Sequence, residues 1–264
     1  MKFKIDHDLH LHSYLSTCSQ SPEQTPGRML EYAKELGLKK ICLTDHFWDE
    51  SVDGASSWYA PQSFTHITKN LPLPSDDGVE LLFGCESDMD KRMKIGVSQE
   101  RYDAFDFIII PTSHLHMSGF TIEESMTSPK ARADYYMERC HALLSADMPF
   151  HKVGLAHFTC GLLSRKCEGT RDDIVNAITD GDLYDLFKRA AGVGIGIELN
   201  TSVSDATNEA ALRPYKIAKA CGCKFYLGSD AHSPADFEHS KKRFEAMVDA
   251  LTLSESDKFD LARS

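Results

Sequence analysis

The chain has 264 residues, 42% hydrophobic and 26% charged; α/β barrels of this length form one domain, and this composition excludes a disordered chain. A formal net charge of −11 excludes a broad electrostatic grip on a nucleic-acid backbone, which needs clustered Lys and Arg. No signal-peptide run opens the chain and no apolar stretch reaches membrane-spanning length, so a cytoplasmic protein with no membrane partner is expected, its eight cysteines reduced.

The first apolar run, residues 5–12, closes on His10 and His12. A helix follows at 26–37, begun by Pro26 and stopped by Gly37. The second strand, 40–44, runs into Asp45 and His46. Residues 49–79 are rich in Ser, Asp, Gly and Pro and read as an active-site loop with one short helix near 61–70. The third strand, 80–85, delivers Glu86 and Asp88; the fourth, 105–110, precedes His114 and His116. After a helix at 129–145, the fifth strand, 153–157, ends on His157. One helix-period segment spans 171–191, and the sixth strand, 193–199, carries Glu198 and leads to Asn200. A helix at 208–222, stopped by Gly222, leads to the seventh strand, 224–227, then Asp230, His232 and a last helix at 234–251.

The strands in DFIIIP, GIGIEL and KFYLG are continuously apolar, as strands buried on both faces must be. Strand and helix alternate, which predicts parallel strands with right-handed crossovers, in a closed barrel or an open doubly wound sheet. Either architecture puts the C-terminal strand ends on one face, where active sites are built. Each of the seven ends carries His, Asp or Glu. Imidazole nitrogen and carboxylate oxygen hold zinc, iron or manganese, and so many donors exceed the needs of one ion: two to three divalent metals are expected.

The motifs Asp8-Leu9-His10-Leu11-His12-Ser13, Leu43-Thr44-Asp45-His46 and Gly228-Ser229-Asp230-Ala231-His232-Ser233 resemble those of the polymerase and histidinol phosphatase (PHP) family. Gly84-Cys85-Glu86, His114, Leu155-Ala156-His157 and Glu198-Leu199-Asn200-Thr201-Ser202 are similar to its intermediate motifs. The resemblance implies a distorted (β/α)7 TIM-like barrel, a single domain over 1–264, with a trinuclear metal centre that hydrolyses phosphate esters. It implies one metal on His10, His12, Glu86 and Asp230, a second on Glu86, His114 and His157, and a third on His46 and His232, with Glu86 as the bridge. Where the family often has a further histidine this chain has Cys18. Either its thiolate serves the third metal, which suits zinc, or that site is weak or empty.

Asp45 is expected to orient a ligand, Glu198 and Asn200 either to do the same or to be buried polar groups satisfied by hydrogen bonds, and His116 to contact substrate or compete with His114. Asp230 or His232 is a candidate proton donor to the leaving alkoxide. Arg165 and Lys166, in the loop after His157, are candidate clamps for the phosphate, with Arg92 and Arg132 as alternatives. Stand-alone histidinol phosphatases of the family are single-domain chains of about this size, so a small phosphorylated substrate is expected, histidinol phosphate first. The rival readings are an amidohydrolase-like enzyme cutting C–N or ester bonds and a metal-binding regulatory domain without turnover. Oligomeric state is not encoded in these motifs.

Overall fold

The computed structural model describes residues 1–200 and 203–261. Its strands are β1 (His7–Leu11), β2 (Lys40–Leu43), β3 (His46–Phe47), β4 (Glu80–Ser87), β5 (Phe107–Ile110), β6 (Val153–Leu155), β7 (Gly196–Leu199) and β8 (Lys224–Leu227). They pair in the order β1-β2-β4-β5-β6-β7-β8, every pairing parallel, while two-residue β3 adds to the far end of β4. The sheet curls until its edges meet: Leu11 bridges Ala231 in parallel, and the Asp230 N–H donates to the His10 carbonyl at 2.8 Å. The result is a mostly parallel sheet nearly closed into a TIM-like barrel, with the seven expected strands as its staves.

The run FIII of β5 shows why these strands are apolar throughout. Ile108 and Ile110 pack in the large core shared with the helices, whereas Phe107 and Ile109 join Leu9, Cys42, Leu82, Ala156 and Tyr226 in a second cluster inside the barrel. Alternate residues thus serve two cores. Phe259 and Leu261 complete the inner cluster. The Phe259 N–H donates to the Phe225 carbonyl and Lys40 donates to the Leu261 carbonyl, so the C-terminal segment closes the end at which the strands begin. The opposite end stays open.

The helices are α1 (Pro26–Leu36), α2 (Phe64–Ile67), α3 (Pro129–Leu143), α4 (Arg171–Asn176), α5 (Asp180–Val193), α6 (Glu209–Ala220) and α7 (Phe237–Ala250). In α1 the Thr25 hydroxyl accepts the Arg28 N–H, Pro26 takes the first turn, and Gly37 stops the helix at φ 71°. The expected single helix over 171–191 is two. Thr170 and Thr179 each form a reciprocal capping box, with Asp173 and Asp182; such a local bond competes with continuing the helix through Thr179. The sixth expected strand is also shorter than 193–199, because Val193 ends α5 and Gly194, at φ 81°, turns the chain into β7. Among the described residues no helix is long and apolar enough to cross a membrane.

Candidate metal centre

The register of β1 against β2 slips between Asp8 and Leu11, an irregularity of the kind that re-aims side chains. Leu9 enters the inner cluster, and His10 and His12, both fully buried, meet at the open end with Nε2 atoms 3.0 Å apart. Two residues here have left-handed backbones, His157 at φ 28° and Asp230 at φ 56°. Side-chain-bearing residues rarely adopt that region, and such strain concentrates at functional sites.

Glu86, from β4, stands at the middle with both oxygens engaged. Its Oε2 lies 3.5 Å from His10 Nε2, 3.3 Å from His12 Nε2 and 3.1 Å from His46 Nδ1. Its Oε1 lies 3.2 Å from His157 Nε2 and 3.9 Å from His114 Nε2. Asp230 Oδ1 adds contacts of 3.4 Å to His10 and 3.0 Å to His12. Three sets of donor atoms therefore lie mutually within 4.8 Å: His10, His12, Glu86 and Asp230; Glu86, His114 and His157; His12, His46 and His232.

What stands behind the histidines fixes which nitrogen faces inward. Glu198 Oε1 sits 2.5 Å from His10 Nδ1, Asp88 Oδ2 sits 2.9 Å from His114 Nδ1, and the Asp230 carbonyl sits 2.8 Å from His232 Nδ1. Carboxylates and carbonyls only accept, so each Nδ1 carries the proton and each Nε2 turns a lone pair toward the centre. For His12 the support is longer. Ser16 Oγ donates to Asp45 Oδ1 at 2.7 Å, so it can accept from His12 Nδ1, 3.1 Å away. Asp45 also takes the Ser13 N–H, the Ser13 hydroxyl and the Asn70 amide, which makes it a support and leaves it outside the donor sets.

Lone pairs converging at 3 Å repel unless a cation sits among them. His46 Nδ1 makes the same point: it is buried, lies outside hydrogen-bond geometry with Glu86 and has no other partner among the described residues. The residues present therefore fit several metal ions held by imidazole and carboxylate, the donor chemistry of zinc, iron or manganese. A fourth set, His10, His157 and Glu198, does not fit, because Glu198 is committed to His10 Nδ1 and to the His157 N–H at 2.7 Å.

The titration of the cluster points the same way. Burial would lift Glu86 and Asp230, but His46 and His10 around the first, and His10 and His232 around the second, hold both well below the usual carboxylate range. Burial would likewise depress His10, yet Glu198, Asp230 and Glu86 raise it well above 6.5. Without metal, protons supply the positive charge that the carboxylates require. His46 goes the other way: burial and its histidine neighbours overcome Glu86 and depress it.

The donor sets open into a cavity of about 560 Å³ lined by Cys18, His46, Trp58, Tyr59, Glu86, His114, His116, Met117, Ser118, Leu162, Lys166, Asp230 and His232. Cys18 is in this wall, but its sulfur belongs to none of the donor sets formed by the described residues. Desolvation and the charges of Glu86 and Asp230 push its thiol up, which disfavours a thiolate in the metal-free protein. Burial and His114 bring His116 down to about 4, which leaves a neutral imidazole beside His114.

Of the cations expected near phosphate, Lys166 lines the cavity and Arg165, exposed next to it, is close enough to act on His116. Arg132 is committed to the carbonyls of Met126, Leu115, Leu163 and Arg165, and Arg92 to Asp90. Asn200 follows β7 directly, while Thr201 and Ser202, the rest of that motif, lie outside the described residues.

Trp58, Tyr59, Met117, Ser118 and Leu162 line the wall and Arg139 supports Asp88 without belonging to any of the sequence motifs. Reading 49–79 as an active-site loop was the signal for Trp58 and Tyr59. Nothing in the sequence singled out Arg139, a fully buried guanidinium in α3.

With this geometry established, comparisons with known proteins identify relatives. The PHP domain family profile matches residues 8–202. No curated protein sequence matches the chain. Among solved structures, a histidinol phosphate phosphatase from Lactococcus lactis subsp. lactis, complexed with zinc, L-histidinol and phosphate, superposes with a TM-score of 0.57 at 17% identity, covering 97% of this chain and 98% of that one. A provisionally named histidinol phosphatase from Listeria monocytogenes gives a TM-score of 0.63 at 14% identity, covering 90% of this chain and 100% of its own. At such identities the likeness is one of fold, and the family rests on the profile match across most of the chain. The chain belongs to the PHP domain family.

Proposed function

We propose that this protein is a metal-dependent phosphomonoesterase acting on a small phosphorylated substrate, with two to three divalent metals held by His10, His12, His46, Glu86, His114, His157, Asp230 and His232. The observation that carries this reading is Glu86, a single buried carboxylate with one oxygen turned to each of two donor sets. Metals bound at those sets would supply Lewis acidity toward a phosphoryl oxygen and would lower the pKa of water toward neutral pH.

The chain's own residues position and exclude. Glu198, Asp88 and Ser16 hold three imidazoles with Nε2 inward, and such bonds to the far nitrogen raise the basicity of the near one. Trp58, Met117 and Leu162 give the cavity an apolar flank that keeps water away from the ester. His232 is better suited to ligation than to proton donation, because its proton is on Nδ1, bound to the Asp230 carbonyl. Lys166 and Arg165 bring positive charge to the cavity for an anionic substrate.

Histidinol phosphate is the first ester to try, since the Lactococcus lactis structure holds L-histidinol and phosphate. The test is hydrolysis of p-nitrophenyl phosphate and histidinol phosphate before chelation, after it, and after zinc, iron or manganese is restored. Phosphate release that disappears on chelation and returns with metal supports the proposal. Metal-loaded protein that spares every phosphate monoester but cuts amides or carboxylic esters would replace it with the amidohydrolase reading.

A further inference from the structure

The cavity wall has two chemically distinct parts. One belongs to the donor sets, and the other includes Trp58, Met117, Ser118, Leu162 and Lys166, with His116 beside His114 at 5.1 Å between centroids. The indole of Trp58 is held in place, edge-on to His46 at 4.9 Å and to Tyr59 at 4.7 Å between centroids. Its position makes an apolar surface for a leaving alcohol that extends away from the phosphate.

Charge on the two parts is asymmetric. The only carboxylates lining the cavity among the described residues are Glu86 and Asp230, and both belong to the donor sets. Outside the donor sets the one lysine, arginine or carboxylate in the lining is Lys166, whose ammonium lies 3.5 Å from Ser118 Oγ and makes no ion pair among the described residues. Arg165 adds a second positive charge nearby. An alcohol carrying an ammonium group would meet like charge here and, among the described lining residues, no carboxylate outside the donor sets.

We propose that Lys166 is a specificity residue that reads the leaving group, so the cavity prefers phosphate esters of flat or apolar alcohols bearing an anionic substituent over esters bearing an ammonium. This rests on the phosphomonoesterase reading and narrows its substrate class. It gives Lys166 a different task from a phosphate clamp. Histidinol phosphate, the ester of an amino alcohol, stays the first natural ester to try, and the proposal adds that an anionic ester of similar size should be turned over faster.

The experiment measures kcat/KM of the metal-reconstituted full chain with phenyl phosphate, 4-carboxyphenyl phosphate and 4-(aminomethyl)phenyl phosphate, in wild type, Lys166→Met and Lys166→Glu. Comparing the same ratio across proteins cancels the intrinsic reactivity of each ester. Lys166 is exposed, so the fold should survive, and circular dichroism checks this. The carboxy-to-aminomethyl ratio should fall at least about tenfold in Lys166→Met and further in Lys166→Glu, the scale of one partly screened charge pair. Equal loss on all three esters would make Lys166 a phosphate clamp and overturn the proposal. An unchanged ratio with unchanged rates would overturn it too. A wild-type preference for the aminomethyl ester would do the same and direct attention to Glu23, the carboxylate of the adjoining cleft that shares Cys18 and His232. If wild type hydrolyses none of the three, phenyl phosphate included, the phosphomonoesterase reading itself fails.

Discussion

Glu198 Oε1 lies 2.5 Å from His10 Nδ1, inside a barrel where neither side chain is exposed. The other carboxylate oxygen accepts the His157 N–H, so one residue of β7 sets both the tautomer of a histidine from β1 and the backbone of a histidine after β6. An amide can keep only one of these acceptor bonds. Glu198→Gln is therefore expected to weaken metal binding tenfold to a hundredfold with little change in fold, which metal titration beside thermal unfolding would show. Unchanged affinity would mean that His10 needs no such support.

Gly228 makes room for that bond. A Cβ at this position would stand 2.0 Å from Glu198 Oε1 and 2.8 Å from His10 Cβ, closer than atoms approach. Gly228→Ala should displace Glu198, reduce metal affinity at least as much as Glu198→Gln, and cost roughly 1–3 kcal/mol of stability through overpacking. Urea denaturation of the metal-free protein measures the second effect separately from the first.

Asp88 ties His114 to Arg139. The guanidinium is fully buried and donates to Asp88 Oδ1 at 3.2 Å and to the carbonyls of Thr112, Asp90, Thr121 and Met89. Removing the carboxylate leaves a buried charge without its counter-ion, a loss of about 3–5 kcal/mol. Asp88→Ala is expected to be markedly unstable, and Asp88→Asn, which loses the same charge but keeps one acceptor oxygen and the side chain's volume, to lose less stability while binding metal less tightly. Equal stability of the two variants in denaturant would contradict this.

The metal-free protein should also be sensitive to pH on both sides. Burial opposes but does not prevent the raised values of His10, His12 and His157; their stabilisation is complete below about 6.5 and is lost as pH rises through the folded-state values. Glu86 and Asp230, depressed by their histidines, contribute above the ordinary carboxylate range and lose that contribution as pH falls through their folded values. His46 and His232, depressed by burial and histidine neighbours, add to the acid loss, since below 6.5 the unfolded chain takes up their protons first. Heating scans should show the metal-free Tm falling as pH rises above about 6.5, whereas metal, supplying the charge that protons leave behind, should flatten the alkaline limb. Parallel curves with and without metal would contradict that coupling.

The barrel was legible because its staves are apolar on both faces: in FIII the four residues are divided between two cores, a pattern that little besides a buried parallel strand produces. The convergence of His10, Glu86, His157 and Asp230 was legible for a related reason, since parallel strands deliver their C-terminal ends to one place. Roles within that convergence were less so. Glu86 and Asp88 are two residues apart on one strand end, yet one meets five histidines and the other turns to Arg139; only the tertiary position of α3 separates them. The break between α4 and α5 was available in the sequence as Thr179 and Asp182, but helical periodicity continued through it. Trp58 and Lys166 reach the cavity by loop conformation, which no periodicity encodes.

The central claim is that Glu86 joins donor sets which hold several metals at once. Elemental analysis of the purified chain after zinc reconstitution, in wild type and in Glu86→Ala, tests it most directly. Two to three zinc ions per wild-type chain, falling to one or none in the variant together with phosphatase activity, is the predicted result. Wild-type protein that takes up no metal, or a variant that keeps its full complement, would contradict the account.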